Sequence, residues 1–243
     1  MRYAPTFALI GTAAATAIAP RAVKTFPAGS VFDIVLEAPI IDIDLEDNED
    51  IIATLAKTKT VICYFSAGSR EDWRSDANKF GNTDFGKEMG DWEGENWVDV
   101  KSENIRTIMK NRITRAAKAG CHAVDPDNVD GYNGNQDGYG YDESAYVDYI
   151  TFLADTAKAN NLAIGLKNAI EIISNVKDKV QFAVNEQCHE HKECAKYQPF
   201  TKDGKAVFNI EYGTKDCSDP TDTNLSTVLK NADQKLNTLG GQC

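Results

Sequence analysis

Two periodicities alternate along this chain. Short β-branched and apolar runs recur at Val31–Leu36, Ile40–Leu45, Val61–Ser66, Trp97–Val100, Cys121–Val124, Ala163–Leu166, Gln181–Val184 and Ala206–Ile210. Each is of strand length and is followed by polar or glycine punctuation. Helical patterns stand between them. Ile105, Ile108, Met109, Arg112, Ile113, Ala116 and Ala117 share one face, which stops at Gly120. Tyr146, Tyr149, Ile150, Leu153 and Ala157 mark a second helix, closed by Asn160-Asn161. Ala169–Val176 and Cys188–Tyr197 read as short helices, and Leu225–Leu239 as a final one.

Strands apolar on both faces, separated by helices, imply a parallel sheet covered by helices. No glycine-rich phosphate fingerprint follows the first strand, which disfavours a dinucleotide fold. Polar residues gather where strands run into loops: Ser66, Asp125 and Asp127, Lys167 and Asn168, Glu186, and Glu211. In a (β/α)8 barrel those ends converge on one mouth, where the active site lies. The expected fold is therefore a TIM-type (β/α)8 barrel in a single domain over residues 26–243, near the lower size limit for that architecture.

The N-terminus carries a different pattern. Arg2 precedes an uncharged run, Phe7–Ala19, so residues 1–19 are expected to be a secretory signal peptide, too short to span a membrane. Six cysteines in a secreted chain suggest disulfides. Cys188 with Cys194 and Cys217 with Cys243 are the expected pairs, and Cys63 and Cys121 are either buried thiols or a third bridge. Asn224-Leu225-Ser226 is a glycosylation sequon. A net charge of −11 argues against nucleic acid and anionic membranes. It is compatible with a cationic ligand, but acidic secreted proteins are common and plain solubility is the first reading.

The segment Ala123–Tyr132, AVDPDNVDGY, concentrates the candidate chemistry. Asp125, Asp127 and Asp130 fall within six residues at a strand end, where mutual repulsion has little structural use but shifts proton affinities. Turn-capping aspartates are the bland alternative. Asp127 and Glu186, two strands apart, would face each other across a barrel mouth, as glycoside hydrolysis requires. Asp125 and Asp130 would tune that pair or bind sugar hydroxyls. Tyr64, Ser66, Lys167, Asn168 and Glu211 at strand ends are candidate substrate contacts. Trp73, Trp92 and Trp97 lie in one long segment; Trp92 and Trp97 are candidate sugar-stacking residues, or parts of a loop core. Residues 133–138 mimic half of a calcium loop, but its twelfth position is Ser144 rather than Glu. Cys188, Cys194, His189 and His191 make a poor zinc set. Neither a metal nor a cofactor is expected.

Six ordered blocks, VICYFSAGSREDWR, DWEGENWVDV, AVDPDNVDGY, GLKN, VNEQC and NIEYG, resemble the family 114 glycoside hydrolases, the endo-α-1,4-polygalactosaminidases and their fungal relatives. The resemblance covers residues 26–243. It implies a TIM-type barrel, secretion, and endo-hydrolysis of α-1,4-linked galactosamine polymers. Carried onto this chain, the family's acidic pair falls on Asp127 as nucleophile and Glu186 as acid/base, with retention of configuration. Asp127 is favoured over Asp125 because relatives read as an apolar residue, Asp, two residues, then Asp. His122 and Phe32 depart from the relatives' Asp and Trp, which puts the subsites in question. A cationic polysaccharide is the expected partner and a monomer the expected state. The alternatives are a non-catalytic polysaccharide-binding barrel and a glycosidase for another α-linked polymer.

Overall fold

The computed structural model describes residues 22–34, 38–90, 92–132, 139–213, 217, 218, 220, 222–234, 236 and 240–242. The expected leader and the calcium-like segment 133–138 lie outside them. In chain order the elements are β1 (Phe32–Asp33), β2 (Ile40–Asp44), α1 (Glu49–Leu55), β3 (Thr60–Ser66), β4 (Ser69–Glu71), β5 (Phe85–Glu88), β6 (Glu95–Val98), α2 (Glu103–Ala119), β7 (Ala123–Asp127), α3 (Glu143–Ala159), β8 (Ala163–Lys167), α4 (Ile173–Val176), β9 (Phe182–Glu186), α5 (Gln198–Lys202), β10 (Val207–Tyr212), β11 (Ser226–Lys230) and β12 (Gly241–Gln242). Ser102 caps α2 by accepting from the Asn104 and Ile105 amides, and Gly120 ends it at φ 102°.

Eight parallel strands, in the order β1-β2-β3-β7-β8-β9-β10-β11, form a nearly closed (β/α)8 barrel, and β12 adds antiparallel to β11. Side chains alternate between two cores, as the two-residue strand period demands. Phe32, Ile62, Ala123, Ala163, Phe182, Val184, Phe208, Ile210 and Val228 pack together as the barrel filling. The alternate residues, among them Ile41, Val61, Cys63, Val124, Ile164 and Val207, pack against the helices. Phe26 meets Phe182 with ring centroids 4.6 Å apart, and Phe32 stacks on Phe208 at 4.5 Å. A Cβ on Gly165 would lie 2.5 Å from the Phe182 ring, so the absent side chain on β8 makes room for that ring. Phe32, where relatives carry Trp, thus belongs to the barrel filling rather than to a subsite. His122 stands immediately before β7, at the end opposite the mouth, and its Nδ1 accepts the Val61 amide at 3.2 Å.

The seam between β1 and β11 is closed by charge. Lys230 Nζ lies 2.5 Å from Asp33 Oδ1, and both side chains are fully buried. The other Asp33 oxygen accepts the Gly240 amide at 3.0 Å. Disulfides Cys63–Cys121 and Cys188–Cys194 are formed, which decides between the two readings of Cys63 and Cys121 in favour of a bridge. Cys217 is also disulfide-bonded, and Cys243 lies outside the described residues. Asn224 of the sequon is exposed just ahead of β11. No helix among the described residues is long and apolar enough to cross a membrane.

Three expectations change. Residues 226–230 form the eighth barrel strand instead of the start of a helix, paired with β10 from Ser226 opposite Phe208 to Lys230 opposite Tyr212. Closing the barrel overrides an ambiguous apolar spacing there, and Thr227 and Val228 suit the strand. Cys188–Tyr197 is mostly turns ending in a 3-10 helix over Cys194–Tyr197, because left-handed residues at Gln187 (φ 64°) and Lys192 (φ 58°) break a continuous helix. The strand near Trp97 is not part of the barrel: β4, β6 and β5 make a separate antiparallel sheet after β3.

Breaking the seam pair should be costly. Lys230→Met leaves the Asp33 carboxylate buried and unpaired, and should lower unfolding free energy by about 3–5 kcal/mol. Chemical denaturation measures this, and adding Asp33→Asn should recover a large part of the loss. A Lys230→Met protein of unchanged stability contradicts the role given to the pair.

Candidate active site

The alternation that fills the barrel also builds its mouth. Ala123, Asp125 and Asp127 share a face of β7, and Phe182, Val184 and Glu186 a face of β9. Ile62 and Tyr64 do so on β3, Ala163, Gly165 and Lys167 on β8, and Phe208, Ile210 and Tyr212 on β10. The apolar early positions fill the barrel and the polar late ones crown it, and parallel strands bring all the crowns to one end.

Asp127 is held by three donors. Its Oδ2 accepts from Tyr64 Oη at 3.0 Å and pairs with Lys167 Nζ at 3.1 Å, and its Oδ1 accepts the Asn128 amide at 2.7 Å. Burial works against the Lys167 charge, but Asp127, Glu186 and Asp125 outweigh it and hold the ammonium well above its ordinary pKa. Glu186 Oε1 accepts from Tyr212 Oη at 2.9 Å, while the Glu186 amide donates to Asn168 Oδ1 at 3.1 Å. Asp125 faces Asp42 on β2 across the larger cavity's wall. Burial pushes Asp125 up to about 7, with Lys167 opposing and Asp127 and Glu186 reinforcing. Burial and the facing Asp125 also raise Asp42. Asp130 is pushed up to about 6, by burial first and Asp127 second.

The loop after Asp127 is clamped from below. The Ala67 and Gly68 amides donate to the Asp127 carbonyl at 2.9 and 3.0 Å. A Cβ on Gly68 would lie 1.5 Å from the Asn128 carbonyl oxygen, so only glycine permits this approach. Asn128 turns out of the strand at φ 60°. Its Nδ2 donates to Ser66 Oγ at 2.8 Å and to Glu95 Oε1 at 3.2 Å. Ser69 bridges Ser66 and Glu95.

Two cavities open on this arrangement. One, of about 710 Å³, is lined by Asp42, Tyr64, Asp125, Lys167 and Glu186 among others. The other, of about 440 Å³, is lined by Asp130, Tyr132, Asn168, Glu171, Glu186 and Glu193 among others. Glu186 lines both.

Residues 10–243 match the model of glycoside-hydrolase family GH114. The crystal structure of Aspergillus fumigatus Ega3 in complex with galactosamine is 39% identical, over 92% of this chain and 98% of that one, with a TM-score of 0.84. The chain belongs to glycoside-hydrolase family GH114. The glycoside hydrolase domain of PelA from Pseudomonas aeruginosa shares the fold at 11% identity, covering 88% of this chain and 98% of that one, with a TM-score of 0.65. No curated protein matches the chain significantly.

In this GH114 barrel, Asp125, Asp127, Lys167, Tyr64 and Glu186 come together at the mouth, and Asp130 and Asn168 line the adjoining cavity. The remaining candidates stand elsewhere. Ser66 is buried within the clamp beneath Asn128. Glu211 alternates to the outer face of β10 and accepts the His189 amide and Nδ1, each at 2.9 Å. Trp97 is buried opposite Ser69 in the three-stranded sheet, and Trp92 is 59% exposed outside both cavity walls. Cys188, His189, Cys194 and Glu211 bring possible ligand atoms within 4.8 Å of one another, but the disulfide removes both thiolates from metal-binding form. Asp42 and Tyr212 are the residues that sequence reasoning passed over. The alternation in Ile40–Asp44 and the NIEYG block carried the signal, since each lies in step with an inward apolar residue.

Two outcomes follow. Asp125 and Asp130 bind protons more tightly in the folded state, so stability should fall as pH rises from about 4, the unfolded carboxylate range, to about 7. Asp125→Asn should flatten that decline and raise the melting temperature at pH 8, as read by differential scanning calorimetry; an unchanged slope contradicts the assignment. Gly68→Ala, which drives a Cβ into backbone, should cost about 2 kcal/mol or more and displace Asp127, lowering turnover in the soluble folded fraction.

Proposed function

We propose that this protein is a secreted endo-acting glycoside hydrolase that cleaves α-1,4-linked galactosamine polymers through Asp127 and Glu186. The observation that carries the reading is the position of Glu186, which lines two acidic cavities at once beside an oriented Asp127. A polymer lying through both cavities would present an internal glycosidic oxygen to that carboxyl. The 39% identical relative in complex with galactosamine supports a galactosamine unit as the sugar. The disulfides and the expected leader support an extracellular protein.

Asp127 acts as nucleophile, its attack line fixed by Tyr64, Lys167 and the Asn128 amide. It bonds to the anomeric carbon while Glu186, held by Tyr212, gives its proton to the departing glycosidic oxygen. Glu186 then takes a proton from water, which displaces Asp127 and restores the starting configuration. Lys167 stays close to both carboxylates and offsets their repulsion as charge moves.

Reducing-end release from partly deacetylated α-1,4-galactosaminogalactan tests the reading. Wild type should release ends, and Glu186→Gln and Asp127→Asn should each be slower by about 10²–10⁴-fold with melting temperatures nearly unchanged. Products should first appear with α configuration by NMR. Near-normal rates in both variants contradict the residue assignment. Polymer binding without any release by wild type makes the protein a binding barrel instead.

A further inference from the structure

Glu95 comes from outside the barrel, on β6 of the small antiparallel sheet, yet its carboxyl reaches the loop that carries Asp127. Glu95 is buried, and so are Ser66 and Ser69 beside it. None of the three lines either cavity. The hydrogen bonds among them run in one direction. Asn128 Nδ2 has two hydrogens, one for Ser66 Oγ at 2.8 Å and one for Glu95 Oε1 at 3.2 Å. The Ser69 hydroxyl donates to Glu95 Oε1, which uses its single hydrogen. Towards Ser66 it can then only accept, so the Ser66 hydroxyl donates to Ser69. Both routes, the direct one from Asn128 and the one through two serines, end on Glu95 Oε1.

The end of that chain bears on Asp127. Asn128 stands at φ 60°, a left-handed conformation that surrounding contacts must hold. From there its amide donates to Asp127 Oδ1 at 2.7 Å. The facing corner is braced from the helices and the small sheet. Arg112 Nη1 donates to the Ser66 carbonyl at 2.6 Å, Tyr149 Oη to the Ala67 carbonyl at 2.7 Å, and the Val98 amide to the Gly68 carbonyl at 3.0 Å. Against this fixed corner, the Asn128 side chain is tied to Ser66 and Glu95. Without the terminal acceptor, a buried Ser69 hydroxyl and an Asn128 hydrogen both lose their partner, and the turn is free to relax.

We propose that Glu95 is a positioning residue for Asp127. By ending the hydrogen-bond chain it holds Asn128 in its left-handed turn, and the Asn128 amide then fixes the carboxylate that attacks the sugar. The role of that carboxylate rests on the hydrolase reading above; the hold on its loop rests on the hydrogen bonds. Loss of the hold lowers turnover rather than binding. A small misplacement of a reacting group is steep in rate, while the remaining cavity wall still retains the sugar.

Kinetics and hydrogen exchange test this together. Glu95→Gln keeps an acceptor oxygen in nearly the same shape, and Glu95→Ala removes it. Asn128→Gly keeps the amide and tolerates φ 60° but loses the side chain. On partly deacetylated α-1,4-galactosaminogalactan, Glu95→Ala should lower kcat by about tenfold or more with KM within about twofold of wild type, whereas Glu95→Gln should keep kcat within about threefold. Adding Asn128→Gly to Glu95→Ala should lower kcat no further than the worse single change, because both break one chain. By nitrogen-15 NMR, the Asn128 amide should exchange with solvent about tenfold faster or more in Glu95→Ala, while amides of β9 and β10 keep wild-type rates. If Glu95→Ala does not fold, Glu95→Asp is read in its place, since it keeps the charge but withdraws the oxygens by one methylene. Wild-type kcat in the folded Ala or Asp variant overturns the proposal, as does an equal loss in Glu95→Gln, an additive double variant, or unchanged exchange at Asn128. If wild type releases no ends while exchange at Asn128 still quickens, the hydrolase reading fails and the hold on the loop stands. If wild type releases ends and neither kcat nor exchange responds, the hold fails and the hydrolase reading stands.

Discussion

Asp42, Asp125, Asp127 and Glu186 crowd one barrel mouth, and the buried ammonium of Lys167 makes that crowding possible. Without a counterion, carboxylates at such separations and in such low dielectric take up protons and drift apart. Lys167 pairs directly with Asp127 and acts electrostatically on Glu186 and Asp125. Burying the lysine is unfavourable by itself; the surrounding acids reverse the balance. The residual mismatch then falls on Asp42 and Asp125, whose proton affinities are raised, by burial first and by their mutual repulsion and that of Asp127 after it. One cation therefore leaves two carboxylates furnished with donors and two, more deeply buried, pushed toward their protonated forms.

The barrel supplies what this electrostatic arrangement needs. Phenylalanine rings fill its lower part, so polar side chains one or two steps further along the same strands have nowhere to go but the mouth. The Ser66, Ser69, Glu95 and Asn128 cluster, with Gly68 pressed against the Asn128 carbonyl, fixes the loop that carries Asp127. At the far side of the sheet, the Asp33–Lys230 pair joins the first strand to the eighth. The excursion between β3 and α2 contributes to this clamp through Glu95 and Ser69. Its tryptophans serve the small sheet or face solvent rather than the two cavities.

Much of this was legible in the residues. Apolar runs ending in Asp, Lys and Glu gave the strands and their polar ends, and six ordered blocks gave the family. Asp127 and Glu186 were readable because each closes its run in step with an inward apolar residue, Ala123 four positions before Asp127 and Val184 two before Glu186. Glu211 misled for the same reason in reverse. It ends a run too, but one residue out of step, and the two-residue period turns it to the outer layer against His189. The last strand escaped notice because Ser226–Lys230 is too short for its apolar spacing to separate strand from helix; only the vacancy between β10 and β1 selects the strand.

By itself, then, the sequence determined the alternating strand–helix order, the inward parity of the catalytic candidates and the family, because these are local periodicities and ordered blocks. Tertiary structure alone decided that Cys63 bonds Cys121, that Lys230 seals the seam with Asp33, that Asp42 and Asp125 line one cavity, and that Tyr212 holds Glu186. Each of these joins residues from different strands or strand-flanking segments, and no spacing along a chain encodes a distance across a barrel until its closure fixes which strands are neighbours.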